Sequence, residues 1–230
     1  TDFLTRAKEA GYTVRPVPLG LALDRLQNFV ANAQDNANSA ESRAYALYVL
    51  ARNSRAPVGE LRYFADEKLD QFQTVLAKAQ LGAALSMLGD KPRAERVFKA
   101  ALGGMDEKAN VILARNDFGS SLRDGAALVT LAMETGLYRQ EAPKLVNVVA
   151  KAYQSRQYTS TQEQAWMLLA AHALGEDLKG TKLAINGGPV EGSIVRGLTA
   201  GEVEKGVVIT NNGDSPVDAV VSVIGASLVA

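Results

Sequence analysis

The side chains best suited to chemistry in this 230-residue chain lie between positions 117 and 124. Asp117 and Asp124 are seven positions apart, and Arg123 directly precedes the second carboxylate. Two carboxylates that face one cleft can act as the acid and the base of glycoside hydrolysis. Two carboxylates that pair with an arginine instead form a buried ion pair between helices. The sequence places no second group of carboxylates opposite this one, so it favours the ion pair and leaves the catalytic pair as the alternative.

The single histidine, His172, is a second candidate for acid–base chemistry. It falls near the end of a predicted helix, where the negative helix terminus stabilises a protonated imidazole. No serine in a recognisable nucleophile context accompanies it, so a structural or surface role is predicted. Scattered acids such as Asp24, Glu41 and Glu60 are interpreted as parts of solvated helix faces.

Missing residue types exclude further chemistry. The chain has no cysteine and one histidine, so it can form no disulfide, no thiolate nucleophile and no metal site with several such ligands. The segment at 175–182 has glycine, lysine and threonine in the wrong order for a phosphate loop, and dinucleotide and calcium-loop motifs are absent. We predict no catalytic residue, no cofactor and no metal ion, and interpret the chain as a non-enzyme.

Charge and hydropathy exclude two classes of partner. Lys and Arg total 25, as do Asp and Glu, so the net charge is zero and no nucleic-acid-binding surface is expected. No apolar run approaches the ~20 residues that span a bilayer, so no membrane insertion is predicted. The first residues have the pattern of a helix already under way rather than that of a signal peptide.

Residues 1–180 have the pattern of packed helices. Ala, Leu and charged residues recur three and four positions apart, and every aromatic residue lies here. Gly11, Gly89, Gly136 and Gly175 each follow an apolar run and are predicted to end a helix. The predicted helices are 1–10, 19–33, 40–53, 58–66, 70–88, 91–102, 118–135, 140–155 and 161–174.

Local motifs predict how two of these helices begin. Asp117 and the serines after it are expected to cap the helix at 118–135. Ser160 and Glu163, three positions apart, form a capping-box pattern ahead of the last helix. Trp166 follows among Ala and Leu residues and is predicted to anchor the core rather than to bind a ligand.

Segments rich in leucine and small residues recur at roughly the spacing of one helical hairpin. They begin at Ala44, Ala79, Ala126 and Ala165. Two architectures repeat this unit: an open tetratricopeptide-like solenoid, and an α/α toroid in which inner and outer helices alternate. The segment at 79–102 resembles a tetratricopeptide repeat locally, whereas the other hairpins do not.

The last fifty residues change to a strand-and-turn composition rich in Val, Ile, Thr and Gly. Strands at 206–210 and 217–224 are predicted to form a hairpin around Asn-Asn-Gly-Asp at 211–214, in which Asn212 and Gly213 supply the tight turn. The expected fold is mainly α, a helical region at 1–178 followed by a small antiparallel β region at 181–230.

Four segments, taken in order, resemble the bacterial α2-macroglobulin family. They are Asp-Phe-Leu-Thr-Arg-Ala-Lys-Glu-Ala-Gly-Tyr at 2–12, Leu-Ala-Arg-Asn-Asp-Phe-Gly-Ser-Ser-Leu-Arg-Asp-Gly-Ala-Ala-Leu at 113–128, Tyr-Thr-Ser-Thr-Gln-Glu-Gln-Ala-Trp at 158–166 and Leu-Ala-Ile-Asn-Gly-Gly-Pro at 183–189. The resemblance covers nearly the whole chain.

The resemblance implies the thioester domain of that family, an α/α toroid inserted into a β-sandwich of CUB type. The chain is then a fragment: 1–178 supplies the later helices, an incomplete ring, and 181–230 the returning strands of the sandwich. The family's Cys-x-Glu-Gln thioester motif does not occur here, and the resemblance places it upstream of Thr1. No catalytic or covalent-capture residue is carried over. The residues that match serve as fold fingerprints only: Asp117, Arg123, Asp124, Gln162, Glu163 and Trp166.

The function implied by the resemblance is that of a broad-spectrum protease inhibitor in bacterial defence, which traps proteases after they cut a bait segment. The helical region would shelter or reposition the thioester. The family resemblance also implies a periplasmic lipoprotein at the inner membrane, with proteases and a penicillin-binding protein as partners. A tetratricopeptide-like peptide-binding scaffold and a glycan-active α/α-toroid enzyme are the alternatives.

Overall fold

The chain folds into two compact units, Thr1–Ala173 and Leu174–Ala230. The computed structural model describes residues 1–34, 37–106, 117, 119–177, 182–191, 197, 199–213 and 217. These residues are mainly helical and include a small antiparallel sheet, so the predicted fold class is confirmed. The predicted domain boundary near Gly180 lies outside the described residues and stays a prediction.

All nine predicted helices are present, with ends shifted by a few residues. The helix predicted at 70–88 is divided: a 3-10 turn at Leu69–Gln71 comes first, and the α-helix begins only after Thr74, whose hydroxyl accepts a hydrogen bond from the Ala77 N–H. The helices are α1 Asp2–Glu9, α2 Pro16–Asn32, α3 Ala37–Arg52, α4 Val58–Glu67, α5 Val75–Met87, α6 Lys91–Asp106, α7 Ser121–Thr135, α8 Ala142–Gln154 and α9 Thr161–Asp177.

Three of the four predicted helix-ending glycines are confirmed. Gly11, Gly89 and Gly136 have φ of 85°, 80° and 73°, a left-handed conformation that follows the last helical turn. The prediction for Gly175 is wrong, because α9 continues through it to Asp177. A glycine weakens a helix by about 1 kcal/mol relative to alanine and does not by itself end it.

Inner and outer helices alternate in the first unit. Eight of the thirteen residues of α5 and eleven of the fifteen residues of α7 are buried, which is typical of helices surrounded by others. Both sequences are rich in Ala, Gly and Leu, so neighbouring backbones approach closely. α5 packs against α3 and α7 on the inside and against α6, its hairpin partner, on the outside. This is the alternation of the predicted α/α toroid.

The described residues of the second unit form a three-stranded antiparallel sheet in the order β2-β1-β3. β1 (Lys182–Ile185) and β2 (Gly188–Glu191) are joined by Asn186 and Gly187, whose φ values of 50° and 81° form a tight two-residue hairpin turn. An Asn-Gly pair is a strong local sequence signal for a hairpin of this kind.

Two features of the second unit differ from the predictions. A short helix, α10 (Ala200–Lys205), lies in a region predicted to be strands and turns. Thr199 and Glu202 form a capping box at its start, a sequence pattern that indicates a helix N-terminus. Strand β3 (Ile209–Asn211) includes Asn211, which was predicted in a turn, and pairs with β1. Residues 218–224 of the predicted partner strand lie outside the described residues.

Candidate functional site

The helices α3, α5, α7 and α9 begin at the same end of the first unit. Glu41 in α3 contacts Thr74, the N-cap of α5, and Ser120, the N-cap of α7, contacts Glu163 in α9. The negative charge of Asp117 acts on Glu41, which places the start of α7 near those of α3 and α5. The helices α3, α5, α7 and α9 therefore run in parallel from this cap end.

The guanidinium group of Arg123 organises the polar residues at the start of α7. Its Nη2 donates to Asp117 Oδ2 at 2.6 Å and to Asp124 Oδ1 at 2.7 Å. Its Nη1 donates to Gln162 Oε1 in α9 at 3.0 Å. Arg123 and Asp124 are 3% and 2% exposed, so this charged pair is inside the protein. These residues form the Arg123 cluster: Asp117, Ser120, Arg123, Asp124, Gln162 and Glu163.

Glu163 joins the caps of two helices. It closes the predicted capping box of α9, accepting from the Ser160 N–H at 2.7 Å, while the Glu163 N–H donates to Ser160 Oγ at 3.3 Å. Its other carboxylate oxygen accepts from the Ser120 hydroxyl at 2.6 Å and pairs with Arg156 Nη1 at 2.9 Å. The capping box is confirmed, and its carboxylate also fixes α7 against α9.

The pKa of Glu163 is lowered from its ordinary value. Burial alone would raise the pKa, but hydrogen bonds from Ser120 and Ser160 and the charge of Arg156 lower it by more. The carboxylate is therefore held in its ionised form, which is the form that accepts these hydrogen bonds.

Glu41 is a second cap-end carboxylate, and its interpretation as part of a solvated helix face is wrong. One of its oxygens accepts from the N–H groups of Gln73 and Thr74, each at 3.1 Å, and the other accepts from the Thr74 hydroxyl. Burial raises the pKa of Glu41, the charge of Asp117 adds to this effect, and the hydrogen bonds from Thr74 and Gln73 oppose it. Only the fold brings Glu41 to a partner that lies more than thirty positions away in sequence.

The arrangement of Asp117 and Asp124 is that of a structural ion pair. The same nitrogen of Arg123 bonds to both carboxylates, so the guanidinium group occupies the space where a glycosidic oxygen would need to sit. Two other candidate residues lie in α9. Trp166 is 8% exposed and belongs to the core of the first unit, as predicted. His172 lies on the exposed side of the helix.

The described residues offer neither a metal site nor a membrane-spanning helix. Within the part of the chain that the structure describes, no group of three or more His, Cys, Asp and Glu side chains is arranged to hold a metal ion. None of the helices among the same residues is long and apolar enough to cross a membrane.

The chain is similar in sequence to curated bacterial proteins named alpha-2-macroglobulin. No protein-family model matches the chain. The alpha-2-macroglobulin of Xylella fastidiosa (strain Temecula1) is 30% identical over 246 aligned positions, which cover 97% of this chain and 15% of the relative. The alpha-2-macroglobulin of Escherichia coli K12 is 33% identical over 191 positions, which cover 78% of this chain and 11% of the relative. The chain therefore spans a small part of these proteins.

Solved structures of bacterial alpha-2-macroglobulins share the fold. Native E. coli alpha-2-macroglobulin matches with a TM-score of 0.68 and 30% identity over 93% of this chain and 14% of the other. Salmonella alpha-2-macroglobulin reacted with methylamine matches with a TM-score of 0.67 and 30% identity over 92% and 14%. E. coli alpha-2-macroglobulin activated by porcine elastase matches with a TM-score of 0.66 and 29% identity over 93% and 20%.

Sequence and fold thus agree over nearly the whole chain, and the predicted family resemblance is confirmed. The chain is a homologue of one region of the bacterial alpha-2-macroglobulins, which are much longer proteins.

Proposed function

We propose that this chain is the helical scaffold of an alpha-2-macroglobulin-like protease trap. The observation that carries the proposal is the shared sequence and fold over more than nine-tenths of the chain with the native E. coli protein. The Arg123 cluster supports a scaffold role, because its buried charges bond to one another and join α7 to α9. The chain's own residues hold the helices together and perform no chemistry.

In this proposal the scaffold shelters a thioester that lies upstream of Thr1 in the parent protein. Methylamine, the reagent in one related structure, is a small amine of the kind that opens such a bond. Its nitrogen attacks the thioester carbonyl carbon, the carbon–sulfur bond breaks, an amide forms, and the sulfur leaves as a thiolate that takes up the proton. A protease lysine would react in the same way. Packed helices exclude water from the bond until the trap is triggered.

The proposed partners are proteases, which act on the parent protein before it captures them. The related structure activated by porcine elastase supports this assignment. We further propose that the parent is a periplasmic lipoprotein at the inner membrane and that it acts beside a penicillin-binding protein, as the resemblance implies.

The proposal is tested by measuring the intact mass of the full-length parent protein before and after exposure to methylamine. Both samples are then challenged with trypsin and run on a denaturing gel. We expect one methylamine adduct per chain and a trypsin conjugate that withstands denaturation only in the untreated sample. A parent protein preincubated with catalytically inactive trypsin is the control and should form no conjugate.

Two other outcomes separate the parts of the proposal. If no adduct forms but bait cleavage still changes the conformation, the parent is a trap without a thioester, and the sheltering role is wrong. If trypsin forms no conjugate and its cleavage leaves the conformation unchanged, the trap function itself is wrong.

A further inference from the structure

Two Asn-Gly pairs lie in the second unit, Asn186-Gly187 and Asn212-Gly213. An asparagine that precedes glycine is the one most prone to lose its side-chain amide, because glycine has no Cβ to crowd its own nitrogen or to restrict backbone rotation. Both asparagines belong to the same exposure class, so exposure does not distinguish them. Their hydrogen bonds within the unit do.

Loss of the amide is a ring closure between the two residues of such a pair. The glycine nitrogen gives its proton to solvent and attacks Cγ of the asparagine. A new carbon–nitrogen bond forms, the bond from Cγ to the side-chain nitrogen breaks, and ammonia leaves with a proton taken from solvent. Water then opens the cyclic imide at one of its two carbonyl carbons, which gives aspartate or isoaspartate. Ring closure therefore requires an asparagine side chain and backbone that can rotate.

Asn186 is held against this rearrangement by Val208. The Asn186 N–H donates to the Val208 carbonyl oxygen at 2.9 Å, and Asn186 Oδ1 accepts from the Val208 N–H at 2.9 Å. Its backbone is fixed as well, because its φ of 50° belongs to the tight turn between the paired residues Ile185 and Gly188. Ring closure at Asn186 would have to break the side-chain hydrogen bond and rotate the backbone out of this turn.

The side chain of Asn212 is not held in this way. Its main-chain N–H donates to the Lys182 carbonyl oxygen at 2.8 Å, but its side chain makes no hydrogen bond to any described residue. Neither Asn212 nor Gly213 has a left-handed φ, which differs from the tight turn predicted for this pair. The Gly213 N–H donates to Asn211 Oδ1 at 2.9 Å, a local contact that leaves the Asn212 side chain able to rotate.

We propose that Asn212 is a site of spontaneous deamidation, and that Val208 protects Asn186 from the same reaction. Conversion of Asn212 adds one negative charge, directly after β3, to a chain whose net charge is zero. The isoaspartate product also lengthens the main chain between residues 212 and 213, which displaces the Gly213 N–H from Asn211. The change is one-way, so it accumulates with the age of the protein.

Incubation of the full-length parent protein in mildly alkaline buffer tests this proposal. Mass spectrometry of proteolytic peptides follows the mass increase that accompanies replacement of NH2 by OH at each asparagine, and an isoaspartyl methyltransferase assay measures the isoaspartate product. Asn212 should convert at least about tenfold faster than Asn186, because Asn186 must first lose a hydrogen bond and its turn. In the parent protein unfolded in urea the two pairs should convert at similar rates.

Two variants at position 208 test the protection of Asn186. Val208→Pro removes the N–H that bonds to Asn186 Oδ1. It should accelerate conversion of Asn186 by about threefold to tenfold, the effect of one lost hydrogen bond, and leave Asn212 at its wild-type rate. Val208→Ala is the matched control, because it keeps the N–H and should leave both rates unchanged. If Val208→Pro does not fold, the folded and unfolded wild-type proteins still decide the question.

Gly213→Ala tests the attacking nitrogen. The added Cβ should slow conversion of Asn212 by at least about tenfold and leave Asn186 unchanged, because it crowds the nitrogen of residue 213 and restricts its backbone. Equal rates for Asn186 and Asn212 in the folded parent protein would overturn the protection by Val208. An Asn212 that converts in the unfolded protein but not in the folded one would overturn the assignment of the modification site.

Discussion

Arg123 lies directly over the backbone of Gly119. A Cβ atom at position 119 would be 2.2 Å from Arg123 Nη2 and 2.3 Å from its Cζ. The end of an arginine side chain usually moves aside easily, but this one is held by Asp117, Asp124 and Gln162. The glycine between Phe118 and Ser120 in the family motif is therefore required by the close approach of the guanidinium group.

Replacing Gly119 with alanine should displace Arg123 from its carboxylates. We expect the Gly119→Ala variant to lower the free energy of unfolding by about 1–3 kcal/mol, as overpacking of a buried site does. Urea denaturation measures this change. Gly103→Ala is the control, because a Cβ there meets nothing within 4 Å and an alanine in a helix should stabilise by roughly 0.5–1 kcal/mol. Equal stability of Gly119→Ala and wild type would contradict the role given to Gly119.

The two cap-end carboxylates should have opposite effects on stability as the pH changes. The pKa of Glu163 is lowered, so its stabilising effect is complete above the ordinary glutamate pKa of about 4.3 and is lost as the pH falls through the lower folded-state value. The pKa of Glu41 is raised, so its ionisation costs stability as the pH rises from about 4.3 through the folded-state value.

Paired variants test this difference in sign. The free energy of unfolding of the wild-type protein should be greater than that of Glu163→Gln. This difference should be largest above about pH 5 and should become smaller toward about pH 3. The difference between wild type and Glu41→Gln should change in the opposite direction over the same range. Chemical denaturation at a series of pH values measures both. Parallel curves for the two variants would show that the two carboxylates do not experience different environments.

The contact between α5 and α6 depends on the absence of a side chain at Gly82. A Cβ there would lie 3.1 Å from the backbone nitrogen of Phe98 and 3.2 Å from the carbonyl oxygen of Ala94. Both are backbone atoms of α6, so neither can move without shifting the helix. This hairpin is the segment whose sequence resembles a tetratricopeptide repeat locally.

An alanine at position 82 should force α5 and α6 apart. We expect Gly82→Ala to lower the free energy of unfolding by about 1–3 kcal/mol despite the better helix propensity of alanine. Gly20→Ala in α2 is the control, because a Cβ at that position meets nothing within 4 Å. Thermal and urea unfolding followed by circular dichroism measure both variants. Stabilisation of Gly82→Ala would show that the contact is looser than the structure indicates.

In the full-length parent protein, the scaffold role predicts that the Arg123 cluster affects stability but not the covalent chemistry. Asp124 is buried and bonds to Arg123, so no substrate group is expected to reach it. A catalytic role would predict the reverse, a loss of reaction without a loss of stability. The two roles can therefore be separated by one substitution measured in two ways.

The Asp124→Asn variant should lower stability by about 3 kcal/mol, the typical cost of breaking a buried ion pair. At temperatures below its unfolding transition it should still form the methylamine adduct with wild-type stoichiometry. Differential scanning calorimetry and intact mass measure the two effects, and Glu95→Gln, on the exposed surface of α6, is the control. Loss of the adduct at an unchanged unfolding temperature would contradict the scaffold role.

The amino-acid sequence alone determined the helices and several of their ends. Apolar periodicity located all nine helices, and Ser160 with Glu163 specified the start of α9. These signals are local, because helix period and capping depend on residues within a few positions of one another. Local signals of the same kind lie at Asn186, in the turn between β1 and β2, and at Thr199, at the start of α10.

Only the tertiary structure decided which polar residues meet. Glu41 and Thr74 are separated by 33 positions, Ser120 and Glu163 by 43, and Arg6 and Glu134 by 128. Each of these pairings depends on the rotation and axial position of two helices. Close contacts between buried backbones set that geometry, and periodicity within one helix carries no information about it.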